Sequence, residues 1–495
     1  MNAVVLDTRN DFLSSLFDQN DFSKGEGIIA AVSGGSDSLA MLFLLYEYLA
    51  RFGRKERLVA VTVDHGLRHE SANEARIVAE LCAKNNITHE IFTLTWYKKK
   101  PVRAISQRSR VARYNLLCDA AEKYDARVIV TGHTLNDQAE TYTMRLLRGG
   151  TSWRGLAAMP RLSLLRQKFL LLRPLLGIWR ATLRDYLLKH SIAWIDDPTN
   201  ANPSYERVRI RRSLNDKAVL EAQKAVAAAA CKRQREAEII AVLTLKSRMR
   251  LQSERLWFDL QPLGVDEEKA FATLIALSAA IMGGTQHLIA NQQLKLKTFL
   301  TAGRNRLRRT TISGAVIEIT NKFLRIWREK RNLTSCLLVP GQTTIWDGRY
   351  RVNNSGWETV LLRPPTQEEV RQILSELPEY LADVHELHFP SLETSCMVCG
   401  KSGFDLPVLT QHSLKNSNIG LQRITLPFDW LISEYDIPIL EALLPIFAIK
   451  AGKMTKTTRN FPDLEALTLA TIKSKSMLQG NMSLTFPSFD QMELI

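Results

Sequence analysis

The stretch Ala30-Ala31-Val32-Ser33-Gly34-Gly35-Ser36-Asp37-Ser38-Leu39-Ala40-Met41-Leu42 decides how this chain folds. The apolar run from Gly27 to Val32 predicts a strand, and the apolar run from Leu39 to about Ala50 predicts a helix. Between them lies a turn of glycines and serines. Gly34 and Gly35 can take positive φ and turn bare backbone N–H groups toward a ligand. The helix that follows aims its unpaired N–H groups and its positive dipole end at the same point. Phosphate is the natural guest. Ser33, Ser36 and Ser38 add hydroxyl donors, while Asp37 is placed to cap the helix or to hold Mg²⁺. No lysine follows the glycines, so the Walker pattern is absent, and G-x-G-x-x-G does not fit either. Such a loop suits release of pyrophosphate better than transfer of a γ-phosphoryl group. The plainer reading of the same residues is a serine-rich turn with a capped helix.

Working outward, strand-like runs recur at Gly27–Val32, Leu58–Val63, His89–Leu94 and Arg127–Thr131, with helical spacing at Leu39–Arg51, Ala72–Asn85 and Ile105–Tyr124. This alternation predicts an α/β fold, a doubly wound parallel sheet with helices on both faces. Ligands of such sheets sit beyond the carboxyl ends of the strands. Three polar clusters fall there: Ser33–Ser38, Asp64-His65-Gly66-Leu67-Arg68, and Gly132-His133 through Glu140-Thr141.

The third cluster opens a helix. Asp137 and Glu140, three residues apart, project from one face near its start. They could take a proton from an amine or hold a metal, or simply cap the helix and complement its dipole. His65 and His133 could contact a base or only satisfy the strand ends. Lys98, Lys99, Lys100, Arg103, Arg108, Arg110 and Arg113 crowd one segment without an acid among them, and Arg110 and Arg113 share a helix face suited to phosphate.

The chain has 495 residues and a formal charge of +15, which implies several domains and an anionic partner. No apolar run reaches the length of a bilayer span, so nucleic acid is expected rather than membrane. Asp7, Asp11, Asp18, Asp21 and Glu26 argue against a signal peptide, and six scattered cysteines fit reduced thiols, which together predict a cytoplasmic protein. Residues 1–215 read as the nucleotide-binding domain, 216–334 as a helical linker with a basic second domain, and 335–495 as a further domain. A basic, Ala-rich helix is expected from the Tyr205–Arg212 segment to about Arg255. Strands are expected at Ala315–Ile319, Phe323–Trp327, Thr343–Trp346 and Val360–Leu362, with basic clusters at Arg304–Arg309 and from Lys450 to Arg459. Cys396 and Cys399 form a lone C-x-x-C with His385, His388 and His412 nearby. It lacks the second ligand pair of a structural zinc site, so ordinary thiols are expected, and no metal site is assigned.

The loop Ser33–Ser38 resembles the pyrophosphate loop of the N-type ATP pyrophosphatases. The wider set resembles one family among them, the tRNA(Ile)-lysidine synthases: Val63-Asp64-His65-Gly66-Leu67-Arg68, Gly132-His133 through Thr141, Leu146-Leu147-Arg148-Gly149, Arg173-Pro174-Leu175-Leu176, and Asp197-Pro198-Thr199-Asn200 through Arg207. The resemblance spans about residues 25 to 215. It implies ATP and Mg²⁺ as co-substrate and ion, and an isoleucine tRNA with a CAU anticodon and free L-lysine as partners. ATP would adenylate C2 of the wobble cytidine, and the lysine ε-amine would displace AMP. Ser33, Gly34, Gly35, Ser36, Asp37 and Ser38 would hold the pyrophosphate. Asp137 and Glu140 would orient and deprotonate the lysine, and Arg113 and Arg207 would stabilise the charge developing around the base. A flipped, single-stranded base would have to reach the crevice, and the basic carboxyl-terminal half would bind tRNA. Asn136 stands where the family pattern has an aspartate, and Val208 where it has an asparagine. Two other readings stay open: a tRNA thiolase of the same superfamily, and a nucleotide-dependent RNA-binding protein without catalysis. Oligomeric state is left open, a homodimer among the options.

Overall fold

The computed structural model describes residues 8–22, 25–64, 66, 71–94, 105–150, 152–196, 202–286, 290–302, 306–376, 387–401, 403–409 and 418–447. His65, Arg68, Lys98–Lys100, Arg103, Asp197–Asn200, Arg304, His385, His412 and the Lys450–Arg459 cluster lie outside the described residues. The chain divides into two compact units, one of residues up to Arg233 with Leu431–Tyr435, the other of Gln234–Trp430 with the segment from Asp436.

In the first unit, helix α1 (Thr8–Leu16) precedes β1 (Gly27–Ala31), α2 (Ser36–Ala50), β2 (Leu58–Asp64), α3 (Ser71–Lys84), β3 (Thr88–Thr93), α4 (Ile105–Lys123), β4 (Ala126–Thr131) and α5 (Leu135–Leu147). A short α6 (Trp153–Leu156), the hairpin β5 (Leu162–Leu165) and β6 (Phe169–Leu172), α7 (Arg180–Lys189) and α8 (Glu206–Ser213) follow, and then the long α9 (Asp216–Lys246), which runs past the unit boundary. Strands β6, β4, β1, β2 and β3 lie side by side in that order and all parallel. Their apolar runs need burial on both faces. Ile28, Ile29 and Ala30 of β1 are 1% exposed or less, and each large side chain so buried contributes about 1.5–3 kcal/mol. Right-handed crossovers put α2 and α3 on one face and α4 on the other. The direction of winding reverses between β1 and β4, which opens a crevice at their carboxyl ends.

The expected sheet is extended in a way its local pattern does not show. β5 runs antiparallel to β6, and Leu431–Ser433 from far along the chain pairs antiparallel with β5 as an edge strand. The helix expected to reach about Arg255 ends instead at Lys246. Arg248, Ser253 and Glu254 take positive φ, and the chain turns into a hairpin of β7 (Arg250–Gln252) and β8 (Arg255–Asp259).

In the second unit that hairpin joins β9 (Arg308–Ile312), β10 (Ala315–Ile319) and β11 (Phe323–Arg328) in an antiparallel sheet of order β7-β8-β11-β10-β9. Helix α10 (Val265–Gly283) packs on β10 and β11. A four-stranded sheet (Cys336–Leu338, Val360–Arg363, Met397–Gly400, Gly403–Asp405) and a three-stranded one (Thr343–Trp346, Tyr350–Asn354, Ile419–Arg423) complete it. Cys396 is buried in the apolar cluster of Leu338, Trp346, Val352 and Leu362, and Cys399 pairs with Leu361 across strands. No cluster of three His, Cys, Asp or Glu side chains able to hold a metal occurs among the described residues.

Candidate active site

The phosphate-type loop is held by its own serines. Ser38 Oγ donates to the Gly35 carbonyl at 2.9 Å and accepts the Ser33 N–H at 3.1 Å, closing the turn around Gly34. Gly34 has φ of +86°. A Cβ there would lie 2.9 Å from Ile195 Cδ1, and the Ile195 N–H donates to the Gly34 carbonyl at 2.9 Å, so the segment before Asp197 docks on the loop. Helix α2 starts at Ser36 with Gly35 as its N-cap, leaving Asp37 in the first turn rather than at the cap. Gly132 passes so close beneath that turn that a Cβ would sit 2.6 Å from the Asp37 carbonyl oxygen. The two strand ends are thereby brought against each other. The open helix start, the positive-φ glycine and the hydroxyls form a donor set that fits a polyphosphate.

Helix α5 begins with a capping box. Thr134 is the N-cap, and Asp137 Oδ2 accepts the Thr134 N–H and hydroxyl, both at 2.9 Å. The capping role and the crevice-facing role therefore coexist in one side chain: Asp137 Oδ1 is left for Arg207 Nη2 at 2.7 Å and Arg180 Nη2 at 3.1 Å. Leu135 and Ala139 on the other side of α5 pack with Val219 and Ala222 of α9, which turns Asp137 and Glu140 toward the crevice. Glu140 is 1% exposed and accepts from Arg207 Nε at 2.6 Å and Arg211 Nε at 2.7 Å. Between these carboxylates Gln138 does structural work, exchanging hydrogen bonds with the backbone of Met159.

Arg180 is the cation that sequence reasoning missed. Its Nε donates to Asp37 Oδ2 at 2.8 Å, and its Nη1 lies 3.6 Å from Glu140 Oε1. Arg211 was also not singled out, although its position one turn after Arg207 was a signal for the same face. Arg180 offered none, being 143 residues from Asp37. Burial raises the Asp37 carboxyl above its ordinary range, with Arg180 opposing the rise. Burial also works against the charge of Asp137, but Arg207 and Arg180 outweigh it and hold that carboxyl below its ordinary range.

Arg113 does not join the carboxylates: among the described residues no acid lies within ion-pair distance of it. Its guanidinium and that of Arg110 lie 5.4 and 5.2 Å from the Tyr114 ring centroid. His133 Nδ1 is 3.0 Å from Thr131 Oγ1, which satisfies the strand end. Burial and the charges of Arg173, Arg113 and Arg110 keep its imidazole neutral, well below its ordinary pKa. Arg173, from the Arg-Pro-Leu-Leu segment, is 1% exposed and donates to the Pro160 carbonyl and Ser163 Oγ, so it holds a loop. Cys82 and Cys118 are buried, and burial pushes their thiols up to about 11 and about 12, unlike reactive cysteines.

Residues 8–218 match the PP-loop domain family. A tRNA(Ile)-lysidine synthase of Bartonella quintana (strain Toulouse) is 38% identical over 474 residues, covering 89% of this chain and 98% of that protein. One of Brucella suis biovar 1 (strain 1330) is 40% identical over 370 residues, 73% of this chain and 81% of that protein. Among solved structures, a U34-tRNA thiolase of Methanococcus maripaludis aligns at a TM-score of 0.37 and 16% identity, over 44% of this chain and 78% of that one.

Proposed function

The chain belongs to the tRNA(Ile)-lysidine synthase family, and from that premise we propose how its crevice works. As an ATP-dependent ligase, it forms lysidine on tRNA. The observation that carries the site assignment is the convergence of Asp37, Asp137 and Glu140 from two adjacent strand ends beside the phosphate loop.

In this reading the loop from Ser33 to Ser38 grips the β- and γ-phosphates of ATP as C2–O of the wobble cytidine attacks the α-phosphorus, and pyrophosphate leaves. Asp37 is the residue that would hold Mg²⁺, the ion that neutralises the departing pyrophosphate; the hard carboxylate oxygen beside a phosphate cradle suits that ion. Free lysine enters with its ammonium against Asp137 and Glu140, taking the place of the partly exposed Arg207 and Arg211 guanidinium groups. The carboxylates accept its proton, and the neutral ε-amine attacks C2 and expels AMP. Arg113, without an acid of its own among the described residues, and Arg207, once the ammonium has taken its place, are available to the negative charge that builds on the base and phosphate. A CAU anticodon loop presents its cytidine flipped from the stack. Residues 216–334 and 335–495 would serve as tRNA-binding domains. The reaction's substrates and the tRNA partner suit a cytoplasmic protein, and no helix among the described residues is long and apolar enough to cross a membrane.

The test is incubation of the full chain with ATP, Mg²⁺, labelled lysine and an isoleucine tRNA transcript bearing CAU, beside a C-to-U anticodon variant. Label retained on the CAU transcript alone is expected. AMP released without label on the RNA would reject lysine as acceptor.

A further inference from the structure

We propose that Arg180 is a positioning residue that couples the phosphate loop to the carboxylate pair, so that the nucleotide and amine sites are built on one guanidinium. Its three nitrogens address three acids: Nε to Asp37 Oδ2 at 2.8 Å, Nη2 to Asp137 Oδ1 at 3.1 Å, and Nη1 3.6 Å from Glu140 Oε1. A guanidinium is planar and its donors keep fixed directions, so a contact with all three fixes the acids relative to one another in a way a point charge cannot. Among the described residues Arg180 is the sole basic partner of Asp37.

The arginine is itself held in place. It is the first residue of α7, and its backbone N–H donates to Asn136 Oδ1 at 2.9 Å. Trp179, just before it, packs into the Leu135–Ala139 cluster on α5. Asn136 thus ties the start of α7 to the helix that carries Asp137 and Glu140. A neutral side chain serves there, because an amide oxygen accepts the N–H without adding a fourth acid to the cluster.

Exposure separates Arg180 from its neighbours. Its side chain is 17% exposed, against 38% for Arg207 and 34% for Arg211. An entering ammonium can therefore replace the two outer arginines while Arg180 stays and keeps Asp37 aligned with the pair.

This inference rests on the reading of the crevice as an ATP and lysine site. Its test is initial-rate kinetics of the full chain and R180Q, with ATP and lysine varied in turn at saturating CAU transcript. Loss of charge-assisted hydrogen bonds to both sites is expected to raise the KM for ATP and the KM for lysine together, each about 10- to 100-fold. A purely structural role would lower the active fraction, and so kcat, and leave both KM values at the wild-type level. N136A, which keeps every charge in the crevice, is expected to move both KM values in the same direction by less, and carries the test if R180Q fails to fold. A rise in only one KM, or in neither, overturns the coupling. A wild-type protein that transfers no label to the transcript overturns the functional reading instead.

Discussion

In the first unit, Asp37, Asp137 and Glu140 share Arg180, Arg207 and Arg211; in the second, Glu254 and Asp347 share Arg349, Arg423 and Arg328. The second network is sealed. Arg349 and Arg423 have no exposed side-chain surface, and Glu254 Oε2 takes a hydrogen bond from Arg423 and another from the Tyr350 hydroxyl at 2.5 Å. Asp347 accepts from Arg328 at 2.8 and 2.9 Å and from Arg349 Nε at 2.7 Å. Burial opposes the charge of Glu254, yet Arg423 and Arg349 hold its carboxyl below the ordinary range. In the crevice, by contrast, Asp137 and Glu140 are buried while two of the three arginines reach solvent. The same pairing chemistry therefore does two jobs. Where both partners are enclosed, neither can leave without stranding a buried charge, and the network fixes the fold. Where the cationic side is open, a ligand cation can take the place of a guanidinium at little cost, and the network becomes a binding site.

The sharpest break of this comparison is Asp137→Asn. Turnover is expected to fall about 10²- to 10⁴-fold in the lysine-transfer assay. Thermal stability and transcript affinity should barely move, since an amide oxygen still caps Thr134; loss of transcript binding would make the residue structural. Arg423→Ala should do the reverse. Stranding Glu254 is expected to cost about 3–5 kcal/mol in urea denaturation, with turnover per folded molecule unchanged. If its turnover fell while stability held, the second network would not be the structural one. Gly132→Ala tests how the crevice is assembled: its Cβ must push the Asp37 carbonyl away, costing about 1–3 kcal/mol and weakening ATP binding measured by titration.

The smallest effect expected is a pH dependence from His133. Its folded pKa lies below the ordinary value of 6.5, so the unfolded chain takes up the proton first as the solution is acidified. The stability this neutral imidazole contributes is present above the unfolded pKa and is lost on acidification, by about 0.7 kcal/mol between pH 7 and pH 6. In His133→Gln that slope should flatten; an unchanged slope would assign it to another group.

Much of the first unit was legible locally. The strand–glycine–helix stretch, the alternation of strand and helix, and the three-residue spacing of Asp137 and Glu140 are short-range patterns, and the parallel core follows from them. The i, i+4 spacing of Arg207 and Arg211 belongs to the same class of signal. No local pattern tells Arg113 and Arg207 apart, yet the fold seats Arg113 against Tyr114 and Arg207 against the carboxylates. The hairpin after Lys246 was missed because the basic, Ala-rich composition before it masks where the helix stops.

By itself, then, the sequence determined the strands and helices of the parallel core and that polar clusters gather at one end of its sheet. Only the tertiary structure decided which charges meet. Arg180 reaches Asp37 across 143 residues, Arg423 reaches Glu254 across 169, and Leu431–Ser433 returns to close the edge of the first sheet. The physical reason is that periodicity records how a segment is solvated, turn by turn. The partner of a buried charge is set by topology and chain return, which no local pattern encodes.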